Sequence, residues 1–205
     1  MASGDAATMA GDAAAAVQVT AADLEAATQE LEALREQLET QRRLAEANLN
    51  PKRPDEPELS RRDSSIKKNA AMTKKLRAVS EEARAQLLAE VGRINMSKYV
   101  SEAVAALSEA PPSRANDAAA AVQVASALHQ TYPEFGAALG AALAKAAGAR
   151  QAGEDERTAL KRQRAALRLL GELQAARVVV DAAPLLGVVR DLVGPPGARG
   201  SAKGW

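Results

Sequence analysis

Ser60-Arg61-Arg62-Asp63-Ser64-Ser65-Ile66-Lys67-Lys68-Asn69 is the stretch that decides the fold, and Asn95-Met96-Ser97-Lys98-Tyr99-Val100-Ser101-Glu102-Ala103-Val104 echoes it downstream. Ser60, followed three residues on by Asp63, has the spacing of a capping box, in which the hydroxyl accepts from first-turn N–H groups. The acidic group then meets the positive end of the helix dipole, with the lysines beyond it. This predicts a helix from about Asp63 to Arg77 with Ile66, Ala70, Thr73 and Leu76 on its inner face. Lys67 and Lys74 lie seven apart, as do Lys68 and Lys75, so two adjacent basic stripes run along it.

Upstream, a helix is expected from about Thr20 to Asn48. Leu24, Leu31, Leu38 and Ala45 recur every seven residues, with Ala27 and Leu34 on the neighbouring seam. Gln41 and Asn48 take the later seam positions, so the pattern fits either a lone helix or a short coiled coil. Asn50-Pro51-Lys52-Arg53-Pro54 ends it, because proline cannot continue the hydrogen-bond ladder and disfavours helical geometry before it. The segments are therefore an irregular lead over 1–15, a long helix within 16–50, a linker at 51–59, a helical domain over 60–194 and a Gly/Pro-rich tail at 195–205.

Within the domain, further helices are expected after Ser80, from near Asn95 to the Pro111-Pro112 stop, and after Ser113 or Asn116. Others follow from Pro133 to Gly148, from Glu154 to Val179 and from Asp181 to Gly194. Their apolar positions include Val100, Val104 and Leu107, then Val122, Val124 and Leu128, then Phe135, Leu139 and Leu143. The fold class is all-α, and short connections make neighbours antiparallel. Stacked hairpins give an α-solenoid and closed ones a bundle, and no fixed-period repeat separates the two.

Composition narrows the chemistry. The chain has 205 residues, no cysteine and one histidine, and aromatics make up 2%. Alanine favours helix but buries little area. Without cysteine there are no disulfides or thiolate metal sites. His129 lies inside a helical pattern with no nucleophile elbow nearby, so it reads as a packing or surface histidine. Glu154-Asp155-Glu156 stands where a helix begins and complements its dipole rather than a metal. Gly194-Pro195-Pro196-Gly197 lacks the lysine and following helix of a phosphate loop. No cofactor, metal or small-molecule substrate is expected, and no enzyme. The first twenty residues contain no Lys or Arg, which supports neither a secretory nor a transit signal. Charged residues and Pro184 break the apolar window at 178–193, so no membrane span is expected.

The formal net charge of +1 hides a segregated pattern. Residues 1–50 carry 3 basic and 9 acidic side chains, and residues 51–78 carry 9 and 4. Arg157, Lys161, Arg164 and Arg168 fall at spacings of four, three and four, which puts them on one face of the sixth helix of the series begun at Asp63, while Leu160, Leu167 and Leu170 occupy another. With Arg61, Arg62, Lys67, Lys68, Lys74 and Lys75 they form the candidate RNA-binding set. Base-stacking aromatics are scarce, since Tyr99 and Phe135 read as core, so contacts would be to the RNA backbone and weakly sequence-selective. A solvated helix face is the competing reading.

The run from Arg53 to about Gly194 resembles the first middle-of-4G domain of the nonsense-mediated decay scaffolds, the regulator of nonsense transcripts 2 family. The matching strings are Arg53-Pro54 with Glu56, Ser60-Arg61, Asp63-Ser64-Ser65-Ile66-Lys67-Lys68-Asn69 and Lys74-Lys75-Leu76. Asn95, Ser97-Lys98-Tyr99, Glu102-Ala103-Val104, His129-Gln130, Tyr132 and Phe135 continue them. The resemblance implies a HEAT-like solenoid of helical hairpins, preceded by the long helix, and no catalysis. It implies other decay factors, exon-junction complex proteins and RNA as partners, no membrane, and a cytoplasmic location reaching the perinuclear region. On this reading the solenoid is incomplete, about half of one such domain. A stack cut there exposes an apolar face, so marginal stability and self-association are expected. The reading from a different class is a structural helical module that oligomerises through the 20–48 helix without touching RNA.

Overall fold

Alanine-rich segments punctuated by proline and short polar turns fold as helices, and their apolar stripes drive them together. The computed structural model describes residues 20–148 and 153–193, so the lead expected over 1–15 and the tail over 195–205 lie outside the described residues. In chain order the helices are α1 Ala21–Leu49, α2 Glu56–Arg61, α3 Ile66–Leu76, α4 Arg84–Val91 and α5 Val100–Glu109, followed by α6 Ala115–Thr131, α7 Phe135–Gly148, α8 Glu156–Ala175 and α9 Ala183–Val193. Among the described residues the only strand-like feature is a single bridge between Asp63 and Ile94.

The chain divides into two units, one ending at Glu39 and the other beginning at Thr40. In the first, α1 is solvated all round: every residue from 21 to 39 is exposed. The second unit is the helical domain. In it α3, α5, α7 and α9 pack in one row and α4, α6 and α8 in another, with α7 seated on α8. This is the all-α, HEAT-like stack of antiparallel hairpins. Phe135, Leu139 and Leu143 of α7 and Leu169, Leu170 and Leu173 of α8 are fully buried in its core. Small Ala118, Ala120, Ala121 and Ala125 let α6 pass close to its neighbours.

The two signature strings meet. Asp63 N–H donates to the Arg93 carbonyl at 3.0 Å, Asn95 N–H donates to the Asp63 carbonyl at 2.9 Å, and Asn95 Nδ2 donates to the Leu59 carbonyl at 2.9 Å. This clip overturns the capping box. Both backbone groups of Asp63 are used outside the helix, so α3 starts only at Ile66, behind Ser65. Ser60 lies inside α2, and the Asp63 carboxylate instead accepts from Ser65 N–H at 2.9 Å and pairs with Lys68. The later start also rotates the inner face. Asn69, Met72, Thr73 and Leu76 are buried, whereas Ile66 is 74% exposed and Ala70 is exposed.

The stretch read as a linker over 51–59 turns helical at its end. Asp55 caps α2 by accepting from Glu58 N–H at 2.8 Å, and Pro57 sits in the first turn. At the other extreme α8 stops at Ala175, not at Val179. Val178 N–H reaches back to the Leu173 carbonyl and Arg177 N–H to that of Gln174, both at 3.0 Å, with Arg177 at φ 59°. That is a Schellman ending with arginine where glycine is usual, so no glycine announced it.

The last turn of α1 is tied into the helical domain by polar contacts. Asn48, 2% exposed, donates from Nδ2 to the Ala176 carbonyl at 2.8 Å. Its Oδ1 accepts from Ser126 Oγ at 2.8 Å and from Gln130 Nε2 at 2.9 Å. His129 Nε2 lies 3.4 Å from the Asn48 carbonyl, while the buried Nδ1 has no partner. Burial holds the His129 pKa below its ordinary 6.5, and the nearby Arg53 charge adds to this against the Asn48 hydrogen bond. The unfolded chain therefore binds the proton more readily than the folded one. His129 should leave stability unaffected above about pH 6.5 and lower it progressively as pH falls below that. Urea melts at pH 7.5 and 5.5 compared with those of His129→Gln test this: the wild-type drop should exceed the variant's.

Candidate nucleic-acid interface

Positive charge gathers most openly on α8. Asp155 starts the helix by accepting from Thr158 N–H at 3.0 Å, and hydrogen bonding with the Thr158 side chain, helped by this backbone bond, holds its pKa below the usual carboxylate range. Glu154 takes Arg162 in a two-pronged contact, Nε to Oε1 and Nη2 to Oε2, both at 3.0 Å. Arg162 Nη1 also donates to the Ala146 carbonyl at 2.7 Å, so a buried pair fixes the first turns of α8 against the end of α7. Sequence spacing did not single out this pair, because the partners are eight residues apart across a helix start.

With α8 pinned, its outer face carries Arg157, Lys161, Arg164 and Arg168. All four are exposed, and all line one open groove of about 590 Å³ with Leu160, Ala165 and Ser113. Ser113 comes from the turn between the Pro111-Pro112 stop and α6. Arg168 is neutralised in part by Glu172 at 2.8 Å. Arg157, Lys161 and Arg164 form no ion pair among the described residues. Like charges at i,i+4 and i,i+3 each destabilise a helix by about 0.2–0.5 kcal/mol unless a counter-charge intervenes. Leu160 is 44% exposed and flanks this groove, while Ala166, Leu169, Leu170 and Leu173 form the buried face.

The α3 cluster is more committed to structure. Lys75 pairs with Glu90 on α4, and Lys68 pairs with Asp63, whose carboxyl it holds well below the usual range with help from Ser65. Arg62 is half-buried, donating to Glu58 at 3.0 Å and towards the Val91 carbonyl at 3.5 Å. Arg61, Lys67 and Lys74 are exposed without an ion pair among the described residues. α3 packs on α4 and α5, whereas α8 packs on α6, α7 and α9, so the α5–α6 hairpin stands between the two basic helices. Tyr132 and Phe135 are buried, and the Tyr132 hydroxyl accepts from Met96 N–H at 2.7 Å, so neither offers a stacking platform. Among the described residues no cluster of three or more acidic or imidazole groups could hold a metal ion, and no helix is long and apolar enough to cross a membrane.

Over 80% of this chain, the fold superposes on the crystal structure of the first MIF4G domain of the human nonsense-mediated decay factor UPF2, with a TM-score of 0.72 and 32% identity. The chain is also 40% identical over 153 residues to the Arabidopsis thaliana regulator of nonsense transcripts UPF2. The helical domain is similar to the first MIF4G domain of UPF2 proteins. Human regulator of nonsense transcripts 2 is 35% identical over 139 residues, which is 68% of this chain. The N-terminal MIF4G domain of Saccharomyces cerevisiae Upf2 aligns over 68% of the chain with a TM-score of 0.55 and 25% identity. The match is to part of a larger protein: the chain spans 13% of the Arabidopsis UPF2 and 11% of the human one, and covers 53% of the human UPF2 domain structure. No family model matches the chain.

Proposed function

We propose that this chain acts in nonsense-mediated mRNA decay as a non-catalytic helical scaffold whose α8 groove holds a single-stranded RNA backbone, while other faces engage further decay factors and exon-junction complex proteins in the cytoplasm. The observation that carries the RNA part is the row Arg157, Lys161 and Arg164, three exposed cations along one groove with no ion pair among the described residues. Phosphates spaced along a strand supply the counter-charge that the fold leaves out. Arg61, Lys67 and Lys74 extend the positive surface on the first hairpin, and the pairing of Lys68 and Lys75 weakens their share.

Filter binding of single-stranded RNA across a salt series tests this. Three phosphate contacts predict a log–log slope of about −2, or about twentyfold weaker binding for a fourfold rise in salt. R157Q/K161Q/R164Q should lose about a hundredfold in affinity near 0.1 M salt and flatten the slope. K67Q/K68Q/K74Q/K75Q should lose less. Equal binding by the α8 variant and the wild type would place the RNA elsewhere, and no binding by the wild type would remove RNA from the function.

A further inference from the structure

We infer that α1 pairs with α1 of a second copy of this chain as a parallel, in-register, two-stranded coiled coil over Leu24–Leu38. Along one helix the use of apolar side chains changes at Thr40. Leu44 is half-buried and Asn48 buried within the helical domain, whereas Leu24, Leu31, Leu34 and Leu38 are 61, 56, 48 and 63% exposed. With Leu24, Leu31 and Leu38 at the a positions, Ala27 and Leu34 fall at d, so the exposed leucines form one narrow seam. Nothing among the described residues from 21 to 39 covers it.

The charges beside the seam select the occupant and its direction. Glu30 takes the g position and Arg35 the following e position. In a parallel pair g of one helix faces the next e of its partner, so Glu30 meets Arg35 on both edges. An antiparallel pair sets g against g, and the acidic g residues Asp23 and Glu30 would then share an edge. Glu25, Glu32, Glu36 and Glu39 occupy b and f, pointing away from the seam. Residues 21–39 hold six acidic side chains and one basic, 1 − 6 = −5, so two copies repel at long range. Salt screens that repulsion. Pairing should therefore tighten as salt rises, the opposite of the proposed RNA contact, on which this inference does not depend.

Sedimentation equilibrium of the full chain over a concentration series at low and high salt is the test. The expected result is a monomer–dimer equilibrium favoured by salt and weakened by more than about a hundredfold in L31E/L34E. Thermal melting of the helical domain should not change in that variant. L186K/V189K, which alters exposed apolar residues of α9, should leave the dimer intact. A wild-type monomer throughout, a dimer that survives L31E/L34E, or a dimer lost in L186K/V189K overturns the inference. Because the chain has no cysteine, direction is read directly. L24C should cross-link to itself on mild oxidation; cross-linking only between L24C and L34C chains would mean an antiparallel pair, in which a faces d, and sink the proposal.

Discussion

Gly136→Ala is expected to destabilise the fold by about 3 kcal/mol, lowering the melting temperature by roughly 6–12 °C. Position 136 opens α7 where it crosses the segment after α8. A Cβ there would stand 2.2 Å from the Val178 carbonyl oxygen and 2.7 Å from His129 Nδ1. The first is backbone, held by the Schellman bond from Val178 N–H to the Leu173 carbonyl, so it cannot swing aside. Relief requires α7 and the α8–α9 connection to separate, which opens the packing around Phe135 and Leu139, both fully buried. Gly140, one turn on, is the internal control. The nearest atoms to its added Cβ all belong to the Val179 side chain, the methyls at 2.8 and 3.2 Å and the Cβ at 3.6 Å, and those methyls can rotate away. Gly140→Ala should cost about 1 kcal/mol. Circular-dichroism melts of the two variants give the comparison, and a Gly136→Ala protein as stable as wild type would show that this crossing is looser than the geometry states.

Helix order was legible from the sequence because proline pairs and apolar spacing act locally. Pro111-Pro112 ends α5, and Leu139, Leu143, Leu169 and Leu170 mark core faces wherever they fall. The errors arose where a residue's role is set by something distant. Ser60 and Asp63 have capping-box spacing, but the Asp63 backbone is claimed by Arg93 and Asn95, some thirty residues away. Asp55-Glu56-Pro57-Glu58 carries a local helix-start signal, but Pro51 and Pro54 just upstream give the whole stretch the look of a helix break. In the candidate interface, spacing placed Arg157, Lys161, Arg164 and Arg168 on one face, and the fold adds Ser113 and a groove. Spacing was silent on which cations are already neutralised. Lys75 finds Glu90 across a hairpin and Arg162 finds Glu154 across a helix start, and neither pairing leaves a periodic trace.

Asn48→Ala should cost about 3 kcal/mol although the side chain lies at the end of a helix otherwise largely exposed. Its amide is the hydrogen-bonding centre where α1, α6 and the α8 cap converge. Truncation leaves the Ala176 carbonyl without its 2.8 Å donor and deprives Ser126 and Gln130 of a shared acceptor. Each buried polar group left unsatisfied costs about 1–3 kcal/mol, and the Gln130–Ser126 contact at 3.0 Å survives to soften the loss. A double-mutant cycle with Ser126→Ala should show coupling above about 0.5 kcal/mol, because the two side chains share one bond. Asn48→Asp should be no better than alanine, since it turns an oxygen towards the Ala176 carbonyl and buries a charge. These losses bear on function through α8, whose C-terminal cap Asn48 holds while Arg162, Glu154 and the Ala146 carbonyl hold its first turns. The groove cations lie nearer that second anchor. Below its melting temperature, Asn48→Ala should therefore bind single-stranded RNA within about twofold of wild type. A variant that loses RNA affinity while still folded would show that the groove depends on the α8 cap.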